Sequence, residues 1–343
     1  MCRLWLYAIL NCMKLFIAPV VISLLALVAV FIWGGVGALA LALLLSVLEI
    51  TLSFDNAVVN AKVLNQMSEK WQKRFLTWGI LVAVFGTRLV LPVLIVALAA
   101  WISPVSAIFL AFENPEEYGR VLEHAGPAIL AFGAAFLMMV SLKYFFDVGK
   151  SVHWISLIEK HLVKWGRIEA IELGIALTSI LALSFLSARL GHGDQGVILA
   201  AGVIGVILFI VIQGIANSLH MEGDTVARSG ASLFVYLNIL DAAFSLDGVV
   251  GAFALTSQIL VIFVGLGIGA YFVRSITVYL VRKKTLDSLR YLEHGAHWAI
   301  LGLALSMLIG LVVHVPEVVT GLIGLAFVSL AYVSSRQALA KKL

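Results

Sequence analysis

Ten apolar runs follow one another along this chain almost without interruption, and that feature excludes most folds. They lie near residues 15–33, 37–61, 75–101, 125–146, 169–188, 196–217, 231–255, 259–281, 295–313 and 317–334. A helix of about 20 apolar residues spans the hydrocarbon layer of a membrane. Inside that layer every backbone polar group needs an internal partner, which restricts spanning structures to helices and closed barrels. These runs are continuous rather than alternating, so a barrel is excluded. The expected fold is therefore an all-α, polytopic transmembrane helix bundle, a single membrane domain over residues 1–343. Only His314 to Pro316 separate the last two runs, which leaves the count at nine or ten spans. Composition decides one further point. Charged residues make up 12% of the chain, about half of what a soluble domain uses.

The basic residues test this parsing. With the N-terminus on the cytoplasmic side, eighteen Lys and Arg fall in inside segments and only Arg120 and Arg189 in outside loops, with Arg88, Lys143 and Arg274 inside spans. That bias is what the positive-inside rule requires. The expectation is a multi-pass protein of the cell membrane, with both termini cytoplasmic and the lipid bilayer as its main partner. Nothing supports nucleic-acid binding. Cys2 and Cys12 are the only cysteines, so the body of the protein has no disulfide framework or thiolate metal site. The run from Leu15 to Trp33 lacks a small-residue cleavage site and reads as a span rather than a leader.

One motif occurs twice. The second run contains Glu49-Ile50-Thr51-Leu52-Ser53-Phe54-Asp55-Asn56, and the seventh Asp241-Ala242-Ala243-Phe244-Ser245-Leu246-Asp247-Gly248. Both read acid, three residues, Ser, one residue, Asp. The next run of each copy carries an intramembrane arginine, Arg88 and Arg274, and the run after that is preceded by Leu-Glu-His at 122–124 and 292–294. Repeat one covers about 37–146 and repeat two about 231–313, with linking spans over about 169–217. The motif helices are the second and seventh spans, five steps apart, an odd number, so the copies are expected to cross the membrane in opposite directions. Inverted repeats of this kind hold substrate sites near the midplane, where the two copies meet.

These residues, Glu49…Ser53-x-Asp55-Asn56 and Asp241…Phe244-Ser245-x-Asp247, resemble the tellurium-resistance TerC family of integral membrane proteins over about residues 35–330. Gly248 is similar to a TerC-like branch described only as a domain of unknown function, DUF475. The resemblance implies a small-solute or cation exporter, with Mn²⁺ as the ion, and it singles out Glu49, Asp55, Asn56, Asp241 and Asp247.

The residues themselves support a cation, though not a particular one. Each ionised carboxylate at mid-membrane costs about 2.5–3.5 kcal/mol on insertion scales. Four acids and two arginines leave a deficit that one divalent cation would cancel. Carboxylate, amide and hydroxyl oxygens suit Mg, Ca or Mn, and the motif runs contain no Cys or His. Ser53, Ser245, Arg88 and Arg274 are expected as supporting residues, and no permanently bound cofactor is expected. On a continuous helix Asp55 points about 120° away from Glu49, so a break is expected near Ser53 or Ser245, with Gly248 favouring the second copy.

No HExxH, GxSxG or P-loop pattern occurs, so an enzyme or ATP-driven pump has no motif support. Two other readings stay open. One is a membrane scaffold in tellurite or metal resistance that uses the acids for packing only. The other is an exporter of a small organic solute or oxyanion, bound by Arg88 and Arg274.

Elsewhere, Asp147 to Arg167 reads as a basic helix on the cytoplasmic face. Ile102 to Glu123 reads as a solvated acidic loop, and Lys143 as a snorkelling side chain. His294 and His297 read as a hydrated helix start, with a metal pair as the alternative.

Overall fold

The computed structural model of the protein describes residues 2–221, 226–282 and 289–341. Within them the side chains of residues 2–14, 76, 80, 215–221, 226–229, 246, 247, 250, 254, 282 and 317 lie outside the description. The described chain is helical, without a strand. Eight of its helices are long and apolar enough to cross a membrane, so the bundle expected from the runs is the architecture observed.

In chain order the elements are α1 (Cys2–Leu52), α2 (Phe54–Asn65), α3 (Glu69–Leu81), a π-helical turn (Val82–Val90) and α4 (Leu91–Ala99). Then come α5 (Pro104–Glu113), α6 (Pro115–His124), α7 (Gly126–Phe145), α8 (Ser156–Trp165), α9 (Ile171–Arg189) and α10 (Gln195–Met221). The last four are α11 (Val226–Leu255), α12 (Ile259–Arg282), α13 (Leu292–Gly310) and α14 (Glu317–Ala340). The count is eight rather than ten for two reasons. The first two runs share one helical segment, Leu15–Leu52, and the seventh lies in α11, whose apolar described stretch is Gly230–Ser245.

α1 is two rods, because its helical path breaks at Gly35, where φ is 70° and ψ is −163°. That left-handed backbone suits glycine alone. The Phe16 ring stacks on Phe272 with centroids 6.5 Å apart. One turn away on α12, Gly269 packs directly on the Glu49 side chain. A straight helix would hold residues 16 and 49 about 50 Å apart, so the chain reverses at Gly35 and both rods lie along α12.

The same contacts fix directions. Gly265 abuts Ala42 and Leu45, and Gly269 abuts Ser46 and Glu49, so the second rod of α1 runs parallel to α12. Close approach at small residues is how helices associate where lipid removes the hydrophobic drive. Three residues, 256–258, join α11 to α12, a connection that makes them antiparallel neighbours. The helices carrying the two motif copies therefore run in opposite directions.

Both ends of the bundle are identifiable. At one end Lys62 pairs with Glu293, His294 meets Glu159, and Tyr291 N donates to Ser335 Oγ at 2.9 Å near the end of α14. At the other, Tyr118 meets Phe253 at a ring distance of 5.5 Å. The segment 102–123, expected as a solvated loop, instead forms α5 and α6. Ser103 Oγ and Asn114 Oδ1 accept from Ser106 N and Glu117 N and cap them, with Pro104 and Pro115 at the first helical position.

Candidate functional site

The first motif copy is broken where expected. α1 ends at Leu52, Ser53 leaves helical geometry (φ −96°, ψ 15°), and α2 resumes at Phe54. Ser53 N still donates to Glu49 O at 3.0 Å, and Ala57 N to Ser53 O at 3.1 Å, so the break is an angular offset rather than a gap. The offset brings Asp55 back onto the cavity lined by Glu49, Ser53 and Gly248.

The second copy corrects the expectation of a break there. α11 runs through Asp241, Ser245 and Gly248 without interruption. Ser245 Oγ donates to Asp241 O at 2.7 Å, inside its own helix. Gly248 serves space instead of bending, since a Cβ there would lie 3.1 Å from Glu49 Oε2. A further irregularity was not readable in advance: the backbone widens to π-helix over Val82–Val90, around Arg88. Such turns cluster at functional sites.

Each arginine faces the first acid of its own copy. Arg88 Nη2 donates to Glu49 Oε1, which also accepts from Ser53 Oγ at 3.0 Å. Arg88 Nη1 donates to Ala83 O at 2.6 Å and Thr87 Oγ1 at 2.8 Å. The second pair is looser: Arg274 Nη2 approaches Asp241 Oδ2 only to 3.6 Å. The two copies touch through Asn56, whose Nδ2 donates to Asp241 Oδ1 at 2.8 Å. All five of these charged and amide side chains are buried.

This pairing leaves Asp55. It is 3% exposed and accepts from Asn56 N at 2.9 Å, and no described Lys, Arg or His lies within ion-pair distance of it. A buried carboxylate without a counter-charge is costly. Asp247, the corresponding residue of the second copy, has its backbone in α11 but its side chain lies outside the described residues.

Two small cavities share Ser53 in their lining. The first is lined by Glu49, Ser53, Asp55 and Gly248, with Thr320 and Gly324 of α14. The space open to the centre of a water-sized sphere is about 20 Å³, room for a water or one bare metal ion. The second, about 10 Å³, is lined by Ser53, Asn56, Asn60, Arg88, Asp241, Arg274 and Thr277. Among the described residues Asn56 Oδ1, Asn60 Oδ1, Arg88 Nε and Arg274 Nη1 have no hydrogen-bond partner.

The donors around the first cavity are hard oxygens, the set that suits Mg, Ca or Mn. Among the described residues no three His, Cys, Asp or Glu side chains converge as a ready ligand group. A cation held there would need hydroxyl, amide or carbonyl oxygens beside the acids. Asn60, one turn from Asn56, and Thr277, three residues from Arg274, carry a helical-spacing signal. Thr320 and Gly324 on α14 carry none.

A second polar cluster lies at the Lys62–Glu293 end. Glu159 of α8 is fully buried. Its carboxylate accepts from His294 Nδ1 (2.8 Å), Trp298 Nε1 (3.1 Å), Trp154 N (3.1 Å) and Ile155 N (3.3 Å), with Lys150 Nζ at 3.4 Å. Burial pushes the Glu159 carboxyl up, but the hydrogen bonds from His294 and Trp298 and the charges of His294 and Lys150 outweigh it and hold it at about 2. Burial lowers the Lys150 ammonium, against the pull of Glu159. His297 stacks on Tyr144 at 3.7 Å and donates through Nδ1 to Glu293 O, and among the described residues neither histidine belongs to a group of three or more potential metal-ligating His, Cys, Asp or Glu side chains. Lys143 reaches Glu172 at 3.2 Å.

A family model described as "Protein of unknown function (DUF475)" matches residues 54–341. No curated protein and no solved structure matches the chain.

Proposed function

The chain belongs to the DUF475 family of proteins of unknown function, so its activity is to be read from its own residues, and we propose that it is a transporter of a divalent metal cation. The observation that carries this reading is Asp55. It is a buried carboxylate with no described counter-charge, on a cavity the size of one ion, beside Glu49 and Ser53. Arg88 and Arg274 face Glu49 and Asp241, so the charge deficit counted from the sequence falls on Asp55 and Asp247. A divalent cation bound through Glu49, Asp55, Asn56, Asp241 and Asp247 would cancel it.

The two motif copies act as inverted repeats in this reading. Oppositely directed helices, with an arginine from the next helix facing the leading acid of each copy, support that arrangement. Rocking one repeat against the other would expose the site to each side in turn. Mn²⁺ as the ion and export as the direction come from the motif's resemblance to TerC proteins. The bundle end bearing Lys62, Lys150 and Arg290 is cytoplasmic on the positive-inside rule, which makes both termini cytoplasmic.

Reconstituted, purified protein is the direct test. Proteoliposomes are loaded with a metal-sensitive dye and challenged with Mn²⁺, Mg²⁺, Ca²⁺, Zn²⁺ and Fe²⁺ in turn. Saturable Mn²⁺ flux above that of protein-free vesicles supports the reading. Absence of flux for all five ions overturns it and favours the scaffold. Arg88 Nε and Arg274 Nη1, which have no hydrogen-bond partner among the described residues, favour an oxyanion as the second reading. Flux of an oxyanion lost first in Arg88 and Arg274 variants would point there.

A further inference from the structure

The two buried arginines are seated differently, and the difference has a consequence for ion entry. Arg88 is committed to Glu49. Arg274 faces Asp241 but is held off it: at 3.6 Å the pair is just outside hydrogen-bond range. Its Nη2 instead donates to the Gly79 carbonyl at 2.6 Å, and its guanidinium carbon lies 3.7 Å from the centre of the Phe75 ring. Both partners belong to α3, a different helix from the one that carries Asp241. The seat depends on the missing side chain at 79, where a Cβ would stand 3.2 Å from Arg274 Cζ and Nη1 and 3.3 Å from Nη2. Phe75 is fully buried, and a guanidinium on the face of a desolvated ring is held electrostatically.

We propose that Arg274 is a displaceable counter-ion and that Gly79 and Phe75 are its parking seat, which frees the Asp241 carboxylate for the transported cation. A charge-assisted pair at about 2.8 Å would compete with a metal for the same oxygens. On the seat, the guanidinium stays close enough to neutralise Asp241 when the ion has left, and far enough to yield when the ion arrives. Gly79 and Phe75 are thus positioning residues that act through Arg274. This role presupposes the cation transport proposed above.

Full-length protein in proteoliposomes tests it, in wild type, Gly79→Ala and Phe75→Leu, each with and without Arg274→Gln. In the Arg274 background both seat variants are expected to raise the Mn²⁺ concentration for half-maximal flux about tenfold while the maximal rate changes less than about twofold. In the Arg274→Gln background they are expected to have no effect on that concentration. An equal effect in both backgrounds, or none in either, overturns the proposal. A metal-free measurement separates this from failure of the cation reading. The coupling between Arg274→Gln and Asp241→Asn, read from thermal unfolding in detergent, is expected to be small in wild type and to grow in Gly79→Ala. Unchanged coupling means that the seat is wrong. Growing coupling with no wild-type flux of any divalent cation keeps the seat but removes both the transport reading and the counter-ion role.

Discussion

Asn56 and Gly248 hold the same position in the two motif copies, and each faces the leading acid of the other copy. Asn56 reaches across to Asp241 with its amide. Gly248 offers no side chain to Glu49, whose Oε2 lies where a substituent at 248 would need to go. The copies have traded volume: the shorter acid meets the longer neighbour, and the longer acid meets none.

Gly248→Asn is therefore expected to destabilise the protein by about 1–3 kcal/mol, the usual cost of overpacking. Adding Glu49→Asp, which recreates the Asp241–Asn56 combination, is expected to recover most of the loss. Thermal unfolding of the purified variants in detergent reads both effects. A double variant as unstable as the sum of the singles would contradict the volume exchange.

Asp55→Asn keeps the shape of the side chain and removes its charge. Metal-dependent flux is expected to vanish while the amount of folded protein and its melting temperature are unchanged or higher, because an uncompensated buried charge has gone. Asp247→Asn is expected to abolish flux in the same assay. Normal Mn²⁺ flux through both variants would end the cation reading and bring the scaffold forward.

The Glu49–Arg88 pair is expected to act as a unit. Arg88→Met alone strands a buried carboxylate, a loss of about 3–5 kcal/mol. Arg88→Met with Glu49→Gln removes both charges and is expected to be markedly less damaging. A double-mutant cycle on unfolding in mixed micelles measures the coupling, and additive single effects would exclude a direct pair.

Glu159 has its carboxyl held down at about 2 against an ordinary 4.5. A depressed carboxylate contributes stability above its unfolded pKa and loses it as pH falls through the folded one. The attachment of α8 to α13 is thus expected to be intact above about pH 5 and to weaken progressively from there towards about pH 2. Hydrogen exchange of residues 154–165 follows it. Glu159→Gln is expected to show reduced protection already at neutral pH.

Reporter fusions inserted in 102–123 and in 282–290 are expected to report opposite sides of the membrane, the first outside. The same side for both would contradict the ten-run parsing and the opposed motif copies together.

What the sequence made legible followed from spacing. Apolar runs of spanning length identify helices regardless of how they pack. Two arginines, each in the run after a motif copy, mark where acids are compensated, because a mid-membrane charge has few ways to be balanced, but not which acid each one faces. The break at Ser53 was readable from the angle between Glu49 and Asp55. Its absence at Ser245 was not, since glycine weakens a helix and also opens space, and only the neighbour across the interface reveals which use prevails at Gly248. α5 and α6 carried their own start signals, Ser103-Pro104 and Asn114-Pro115, yet the acidic residues around them resembled a solvated loop. Glu159 was hidden among Lys, His and Trp. A single glutamate amid the lysines and histidines of a basic segment is the trace such an anchor leaves, but its partners His294 and Trp298 are remote in sequence.

The way Glu49 and Asp241 are neutralised also bears on how the chain is made. Each acid meets its arginine one apolar run later in synthesis, 39 residues on for the first pair and 33 for the second. Each of these two acids finds its arginine within its own half of the chain. As the nascent chain leaves the ribosome, each exposed acid waits only for the next helix to enter the bilayer. The halves can then be inserted one after the other with the leading acid of each already facing a cation, and the cavity at Asp55 is completed only when the second half docks against the first.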